Sequence, residues 1–178
     1  MTDANSPFLT ECTTLFHKQK KLAERAMAQV SDEQLFTTLD AEANSIALIV
    51  RHLHGNMRSR WTDFLTTDGE KSDRHRDTEF EMPVGQSRDD VMRAWETGWG
   101  YLFAALSSLT AEQLERTVTI RSQPLTVMSA ILRQLDHYAQ HVGQIVLLAK
   151  HSRGAAWESL SIPRGKSEEY LREMTGKK

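Results

Sequence analysis

Two of the seven histidines lie four residues apart in the segment His137-Tyr-Ala-Gln-His141. In a helix this spacing places both imidazole rings on the same face, one turn apart. Two such rings can reach one metal ion, because zinc–nitrogen bonds measure about 2.0–2.1 Å. The pair alone is weak evidence, since a chain with seven histidines contains this spacing readily by chance. It is therefore a candidate for metal binding that needs support from the rest of the chain.

The apolar stripe of that segment places the two rings at the edge of a buried face. The stripe runs through Ile131, Leu135, Tyr138, Val142 and Ala149. Both histidines lie roughly 80–120° to one side of its centre, where a wet pocket can open between packed helices. We therefore expect the pair to border the core.

An earlier helical segment carries two further candidate ligands, His52 and His54. Its apolar stripe is centred near Ile46, Leu53 and Met57. His52 lies roughly 120° from that centre on one side, and His54 lies roughly 80° from it on the other. Periodicity therefore leaves both histidines open as ligands, with His54 marginally nearer the core.

Two metal motifs are excluded by the residues around these histidines. A zinc protease of the H-E-x-x-H type requires a glutamate base directly after the first histidine, and Tyr138 stands at that place. A di-iron bundle requires Glu-x-x-His on two helices, and no histidine in this chain has a glutamate three residues before it. The scarcity of carboxylates at the required spacing from these histidines therefore argues against di-iron oxygen chemistry.

Apolar periodicity and capping residues predict the elements that would position these side chains. Four long helices are predicted over residues 8–30, 44–65, 87–109 and 126–152. Short helices are predicted after the capping residues Ser31, Thr110 and Ser167, and a small hairpin over 117–127. The predicted fold is all-α: a four-helix bundle with short accessory helices and a small β-hairpin before the last long helix. We expect a single domain over residues 1–178.

A long charged stretch, residues 66–87, separates the second and third predicted long helices. It is broken by Gly69, Pro83 and Gly85. Connections of this length are often functional, so we interpret it as a functional loop. Its segment 73–77, Asp-Arg-His-Arg-Asp, is a candidate lid over the site.

The composition excludes several classes of partner. With 22 basic and 24 acidic residues the net charge is −2, so no global basic field recruits nucleic acid. The longest purely apolar run, residues 46–50, is far too short to span a bilayer. Residues 1–7 lack the basic and apolar regions of a secretion signal, and the single cysteine, Cys12, fits a reducing compartment. We therefore expect a cytoplasmic protein with no nucleic-acid partner and no membrane partner.

Several segments together resemble the DinB-like superfamily, in its bacterial DinB/YfiT-like branch of unknown function. These segments are 51–64 (RHLHGNMRSRWTDF), 68–71 (DGEK), 76–77 (RD), 95–99 (WETGW), 137–144 (HYAQHVGQ) and 157–167 (WESLSIPRGKS). The resemblance covers most of the chain. The combination is specific, whereas any one segment alone would not be.

The resemblance implies a three-histidine site for a divalent metal ion, zinc or nickel. One ligand would come from the second long helix and two from the last, which assigns His52, His137 and His141. His54 falls on a position that the family does not use as a ligand and remains an alternative. Some relatives are thiol-dependent transferases or isomerases that use mycothiol or bacillithiol, although a shared fold does not fix function.

Three neutral imidazoles on a divalent ion leave a coordination position open, as in catalytic rather than structural sites. Such an ion lowers the pKa of a bound water or thiol, which becomes a nucleophile near neutral pH. Asn56 and Arg60 lie one and two turns beyond His52, and Gln144 lies one turn beyond His141, so all three are candidates for cofactor binding. The alternative roles are an interhelical hydrogen bond for Asn56 and a surface charge for Arg60, and Gln144 faces the same choice.

Three functional hypotheses remain open. The first is a metal-dependent transferase that joins a small-molecule thiol to an electrophile. The second is a non-catalytic metal-binding or stress-related bundle protein, and in the third the histidines are only satisfied polar groups. Bundles of this kind often pair through a helix face, so we expect a homodimer, although the sequence does not show which face would pair.

Overall fold

Helices make up most of the computed structural model, which describes residues 6–176. In chain order the elements are α1 (Pro7–Met27), α2 (Asp32–Phe36), α3 (Ile46–Trp61), α4 (Arg88–Ser107), β1 (Thr117–Ile120), β2 (Gln123–Thr126), α5 (Val127–Arg153) and α6 (Ser167–Thr175). The four long helices α1, α3, α4 and α5 surround an apolar core, with α3 packed mainly against α4 and α1 mainly against α5. The predicted four-helix bundle, with a small antiparallel hairpin before the last long helix, is confirmed.

Side-chain caps begin the helices where the sequence predicts them. The hydroxyl oxygens of Ser31, Ser45, Ser87 and Thr126 each accept a hydrogen bond from the backbone N–H three residues later. Each cap satisfies one of the donors that a helix leaves free at its start, and is worth about 1 kcal/mol. The start of each of the four helices α2, α3, α4 and α5 is therefore fixed locally by the sequence.

Several boundaries differ from the predicted ones, and α1 ends at Met27 rather than at residue 30. Helix α3 ends at Trp61, earlier than expected, because the backbone becomes extended at Thr62 (φ −68°, ψ 127°). The prediction that Ser167 caps the last helix is wrong, since Ser167 is the first residue of α6. A turn in which the Lys166 N–H donates to the Pro163 carbonyl (3.0 Å) brings the chain into the helix one residue early.

Large aromatic side chains fill the centre of the bundle. Phe16, Trp99 and Tyr138 contact one another with ring centroids 5.9–6.3 Å apart, and Trp95 packs on Trp99 at 5.4 Å. Together with Trp61 these rings are at most 3% exposed, so three of the tryptophans belong to the core. Burial of each ring removes a large apolar surface from water and supplies much of the folding free energy.

Tyr138 also fixes the position of α5 along α3. Its hydroxyl accepts a hydrogen bond from the Trp61 indole N–H (3.0 Å) and donates one to the Asn56 amide oxygen (3.1 Å). Both partners lie on α3, and an unpaired buried hydroxyl would cost about 1–3 kcal/mol. A shift of either helix along the other would break these bonds. The position of His137, the residue before Tyr138, relative to α3 is therefore fixed as well.

The long connection between α3 and α4 is ordered and attached to the bundle at several points. The Ser59 hydroxyl donates to the Gly69 carbonyl (2.8 Å), and the Asp68 carboxylate accepts the N–H groups of Arg121 (2.8 Å) and Ser122 (2.7 Å). Those two residues form the hairpin turn with φ of 55° and 59°, a left-handed conformation that Asp68 stabilises. Residues 62–87 are called the α3–α4 loop below.

The single cysteine and the apolar content of the helices can be compared with the expectations from the composition. Cys12 lies in α1 and is 4% exposed, so it packs as a small buried apolar residue. Among residues 6–176, no helix is both long enough and apolar enough to cross a bilayer. Most of residues 1–7, where we predict no secretion signal, lies outside the described range.

Two glycines of α4 differ in what surrounds them. A Cβ atom at Gly98 would lie 3.1 Å from the Met57 sulfur and 3.2 Å from the Cα atom of His54. At Gly100 nothing lies within 4 Å of the same position. Gly98 therefore permits the close contact between α3 and α4, whereas Gly100 plays no such role.

We expect the substitution Gly98→Ala to lower the free energy of unfolding by about 1–3 kcal/mol, because the added methyl group overpacks the α3–α4 contact. Urea unfolding followed by circular dichroism measures this change. Gly100→Ala is the matched control, and the helix propensity of alanine should raise its stability by up to about 1 kcal/mol. Equal changes in the two variants would contradict the close contact.

Candidate metal centre

Three histidine rings meet between α3 and α5. His137 Nε2 lies 3.4 Å from His52 Nε2 and 3.1 Å from His141 Nε2, and one ligand atom from each ring lies within 4.8 Å of the other two. His54, the alternative on α3, points instead toward α4, where its ring centroid is 6.5 Å from that of Tyr101. The structure therefore brings His52, and not His54, to the pair on α5.

The spacing of the ring nitrogens fits a bound metal ion. Two nitrogens bound at about 2.0–2.1 Å in a tetrahedral site lie about 3.3 Å apart. Two of the three separations, 3.1 and 3.4 Å, bracket that value, and all three lie within 4.8 Å. The cluster could therefore hold one divalent ion without large movement of the rings.

Glu79 holds the His52 ring in one orientation. Its Oε2 atom lies 2.8 Å from His52 Nδ1, and Arg74 binds both carboxylate oxygens through Nε (2.7 Å) and Nη2 (2.9 Å). Burial would raise the pKa of Glu79, but the hydrogen bonds from His52 and Arg74 outweigh it and keep the pKa below its ordinary value. An ionised carboxylate only accepts hydrogen bonds, so His52 carries its proton on Nδ1 and directs the Nε2 lone pair at the cluster.

Gln144 has the corresponding role for His141. The side-chain oxygen of Gln144 lies 3.0 Å from His141 Nδ1 and accepts a hydrogen bond from its N–H, which leaves the Nε2 lone pair free. Hydrogen bonds of this kind, from the far nitrogen of a ligand ring to a polar group, orient histidines in metal sites. Two of the three rings therefore present an unprotonated nitrogen to the same point.

The two rings on α5 favour the neutral form that metal binding requires. Burial, together with the neighbouring His141 and His52 rings, lowers the pKa of His137 to about 3. Burial is also the main cause that lowers the pKa of His141. Neutral imidazole is the metal-binding form, so no proton has to leave these rings near pH 7.

Gly55 makes room for the buried carboxylate. A Cβ atom at this position would overlap the Glu79 side chain, with the carboxyl carbon only 2.7 Å away. Glu79 can therefore approach α3 and reach His52 only because residue 55 has no side chain. Phe80, the next residue of the loop, stacks on the His52 ring with centroids 4.9 Å apart.

The cluster opens onto a cavity of about 300 Å³. His52 and His137 line it, and so do two of the residues predicted to bind a cofactor, Asn56 and Arg60. Asn56 also makes an interhelical hydrogen bond, the alternative role considered for it, whereas Arg60 is 5% exposed and is no surface charge. Gln144, the third predicted residue, contacts His141 rather than the cavity.

Several residues of the site were not predicted from the sequence. They are Glu70, Glu79, Arg121, Arg133 and Gln134. The charged composition of the α3–α4 loop was the available signal, and two of its residues, Arg74 and Arg76, do line the cavity. The remaining histidines, His17, His75 and His151, are exposed.

The fold and the site define a class: a helical bundle with three histidines from two helices around one point. A family model described as "Protein of unknown function (DUF1572)" matches residues 3–166, and the chain belongs to that family. The comparison with curated proteins found no match. All three histidines and Glu79 lie within the matched residues.

We expect the metal-free protein, in the presence of a chelator, to lose stability as the pH falls from about 6.5 toward 4. The folded-state pKa of His137 is about 3. Between this value and the higher pKa of the unfolded chain, only the unfolded chain binds the proton, so acid favours unfolding. Urea unfolding at a series of pH values measures the slope.

His137→Gln should flatten this slope, whereas His151→Gln, which removes an exposed ring from the same helix, should leave it unchanged. The same pH dependence in both variants would show that His137 is not held neutral by the fold.

Proposed function

We propose that this protein is a divalent-metal-binding member of the DinB-like superfamily, with His52, His137 and His141 as ligands of zinc or nickel. We propose further that it is a metalloenzyme of the thiol-dependent S-transferase type, which joins a small thiol to an electrophile. The superfamily assignment is supported by the four-helix bundle and by ligands drawn from its second and last long helices.

The observation that carries the proposal is the convergence of imidazole lone pairs. Glu79 and Gln144 occupy the Nδ1 atoms of His52 and His141, so both Nε2 atoms face His137 Nε2 as acceptors. At separations of 3.1 and 3.4 Å, the single proton that His137 Nε2 can carry serves only one of them. A cation at the centre satisfies all three nitrogens together.

The surroundings of the cluster support turnover rather than a purely structural ion. Structural zinc sites are closed by four protein ligands, whereas this cluster has three histidines beside a cavity of about 300 Å³. A bound divalent ion would supply a Lewis acid that lowers the pKa of a thiol. Phe80 covers one face of His52, and Glu79 holds the proton of that ring on Nδ1, the nitrogen that points away from the cluster.

We expect the purified protein to carry about one divalent ion per chain, and His52→Ala, His137→Ala and His141→Ala each to lose it. Elemental analysis of the protein and its variants measures the metal content. His54→Ala is the matched control, because His54 lies on the same helix as His52 but outside the cluster. Loss of the metal in His54→Ala, with retention in His52→Ala, would refute the ligand assignment.

Glu79→Gln should weaken metal binding about 10- to 100-fold while the fold persists, because the amide keeps the shape of the side chain but loses the charge that orients His52. Competition with a chromogenic chelator measures the affinity. An unchanged affinity would mean that Glu79 does not act through His52.

We expect the metal-loaded protein to accelerate the reaction of a small thiol with monochlorobimane. The thiol sulfur forms a bond to the chlorinated carbon, chloride leaves, and the thiol proton passes to the buffer. Bacillithiol, mycothiol, glutathione and cysteine form the test panel, and fluorescence of the conjugate is the readout. His137→Ala should abolish the acceleration and His54→Ala should retain it.

If no thiol in the panel reacts faster with the protein than without it, the transferase proposal fails. Metal content, measured independently, then decides whether a non-catalytic metal-binding function remains.

A further inference from the structure

The cavity beside the histidine cluster is strongly basic, although the whole chain is slightly acidic. Five arginines line it: Arg60, Arg74, Arg76, Arg121 and Arg133. Among the lining residues that the structure describes, Asp136 is the one acid, and its carboxylate accepts a hydrogen bond from Gln140 (2.9 Å). Such a concentration of one sign of charge in a cleft attracts a ligand of the opposite sign.

The acids behind the cavity wall do not neutralise these arginines. Glu70 is shared among three of them, through Arg60 Nη2 (3.2 Å), Arg74 Nη1 (3.2 Å) and Arg121 Nε (2.7 Å). Glu79 is the second carboxylate in the network. Of the five arginines that line the cavity, it pairs with Arg74. Three guanidinium groups therefore share two carboxylates, which leaves a positive excess before Arg133 is counted. Arg76 lies 3.9 Å from the carboxylate of Asp77, so it adds little to that excess.

Two buried polar groups of the cavity wall lack a partner among the described residues. Arg60 Nε and the side-chain oxygen of Gln134 are buried without a hydrogen bond, and both residues are at most 5% exposed. An unpaired buried polar atom costs about 1–3 kcal/mol, which native proteins seldom tolerate without a reason. An anionic group in the cavity would accept a hydrogen bond from Arg60 Nε, whereas the Gln134 oxygen requires a donor from another part of the ligand.

We propose that this cavity binds the carboxylate or phosphate group of a small anionic substrate and directs the rest of that molecule toward the three histidines. Arg133 and Arg121 are its exposed recognition residues, and Arg60 and Gln134 form the buried wall. Guanidinium groups match planar carboxylates and phosphates through paired hydrogen bonds. The volume of about 300 Å³ suits a compact molecule.

The position of the cavity indicates where a bound molecule would react. His52 and His137 belong both to the cavity wall and to the cluster, so a molecule anchored at the arginines extends to the candidate metal centre. The proposal rests on the proposed function only in placing a reaction there. Binding of the anion can be measured without thiol or turnover.

Isothermal titration of the purified full-length protein with inorganic phosphate, succinate and succinamide tests the proposal. We expect phosphate or succinate to bind at least about tenfold more tightly than neutral succinamide, since hydrogen bonds between charged groups are about twice as strong as neutral ones. Stronger binding of phosphate would assign a phosphate ester as the substrate class, and stronger binding of succinate would assign a carboxylate.

Variants locate the binding. Arg133→Gln should weaken the preferred anion about tenfold, and Arg121→Gln should act in the same direction, both with unchanged metal content. Arg93→Gln, an exposed arginine of α4 outside the cavity, is the matched control and should bind like the unaltered protein. Exposed arginines are chosen because replacing the buried Arg60 risks unfolding the chain.

Three results would overturn the proposal: equal binding of succinate and succinamide, no binding of either anion, or binding unaffected by both cavity variants. Anion binding that disappears in His137→Ala but persists in Arg133→Gln would likewise overturn it, because the anion would then bind the metal alone. Anion binding without thiol consumption would leave this proposal standing and refute the transferase.

Discussion

The organisation of the site depends on one buried carboxylate. Glu79 lies against α3 at Gly55 and is 7% exposed, and a buried charge is tolerated only when it is paired and hydrogen-bonded. His52 and Arg74 provide that pairing. To bring Arg74 and Glu79 into place, the α3–α4 loop must be ordered, and its attachments to Ser59 serve that requirement. The loop is thus part of the site and not only a connection between helices.

A second constraint, independent of the first, sets the other half of the cluster. The hydroxyl of Tyr138 is bonded to two residues of α3, which fixes α5 along that helix. His137 and His141 then follow from helical geometry, since they lie one turn apart. One candidate ligand is therefore oriented by an ionic network in a loop, and the other two are positioned by the aromatic core. Their meeting at separations near 3.3 Å results from two separate sets of interactions.

Local signals in the sequence account for what could be predicted. Caps and apolar periodicity placed the long helices, and the spacing of His137 and His141 identified the pair on α5. Periodicity could not choose between His52 and His54, because the two lie on opposite borders of one stripe. Packing decides between them, since α4 approaches the backbone of His54 at Gly98. The roles of Glu70 and Glu79 in the loop could not be predicted, because their contacts are set by the tertiary structure and leave no periodic pattern in the sequence.

The close fit between Gly55 and Glu79 has a consequence for related sequences. Any side chain at position 55 would occupy the space of the carboxylate, so a larger residue there is compatible only with a shorter one at position 79. A shorter acid at position 79 could contact the imidazole of residue 52 only if the loop backbone lay closer to α3. Positions 55 and 79, far apart in the chain, should therefore vary together, and relatives that keep glycine at the first should keep glutamate at the second.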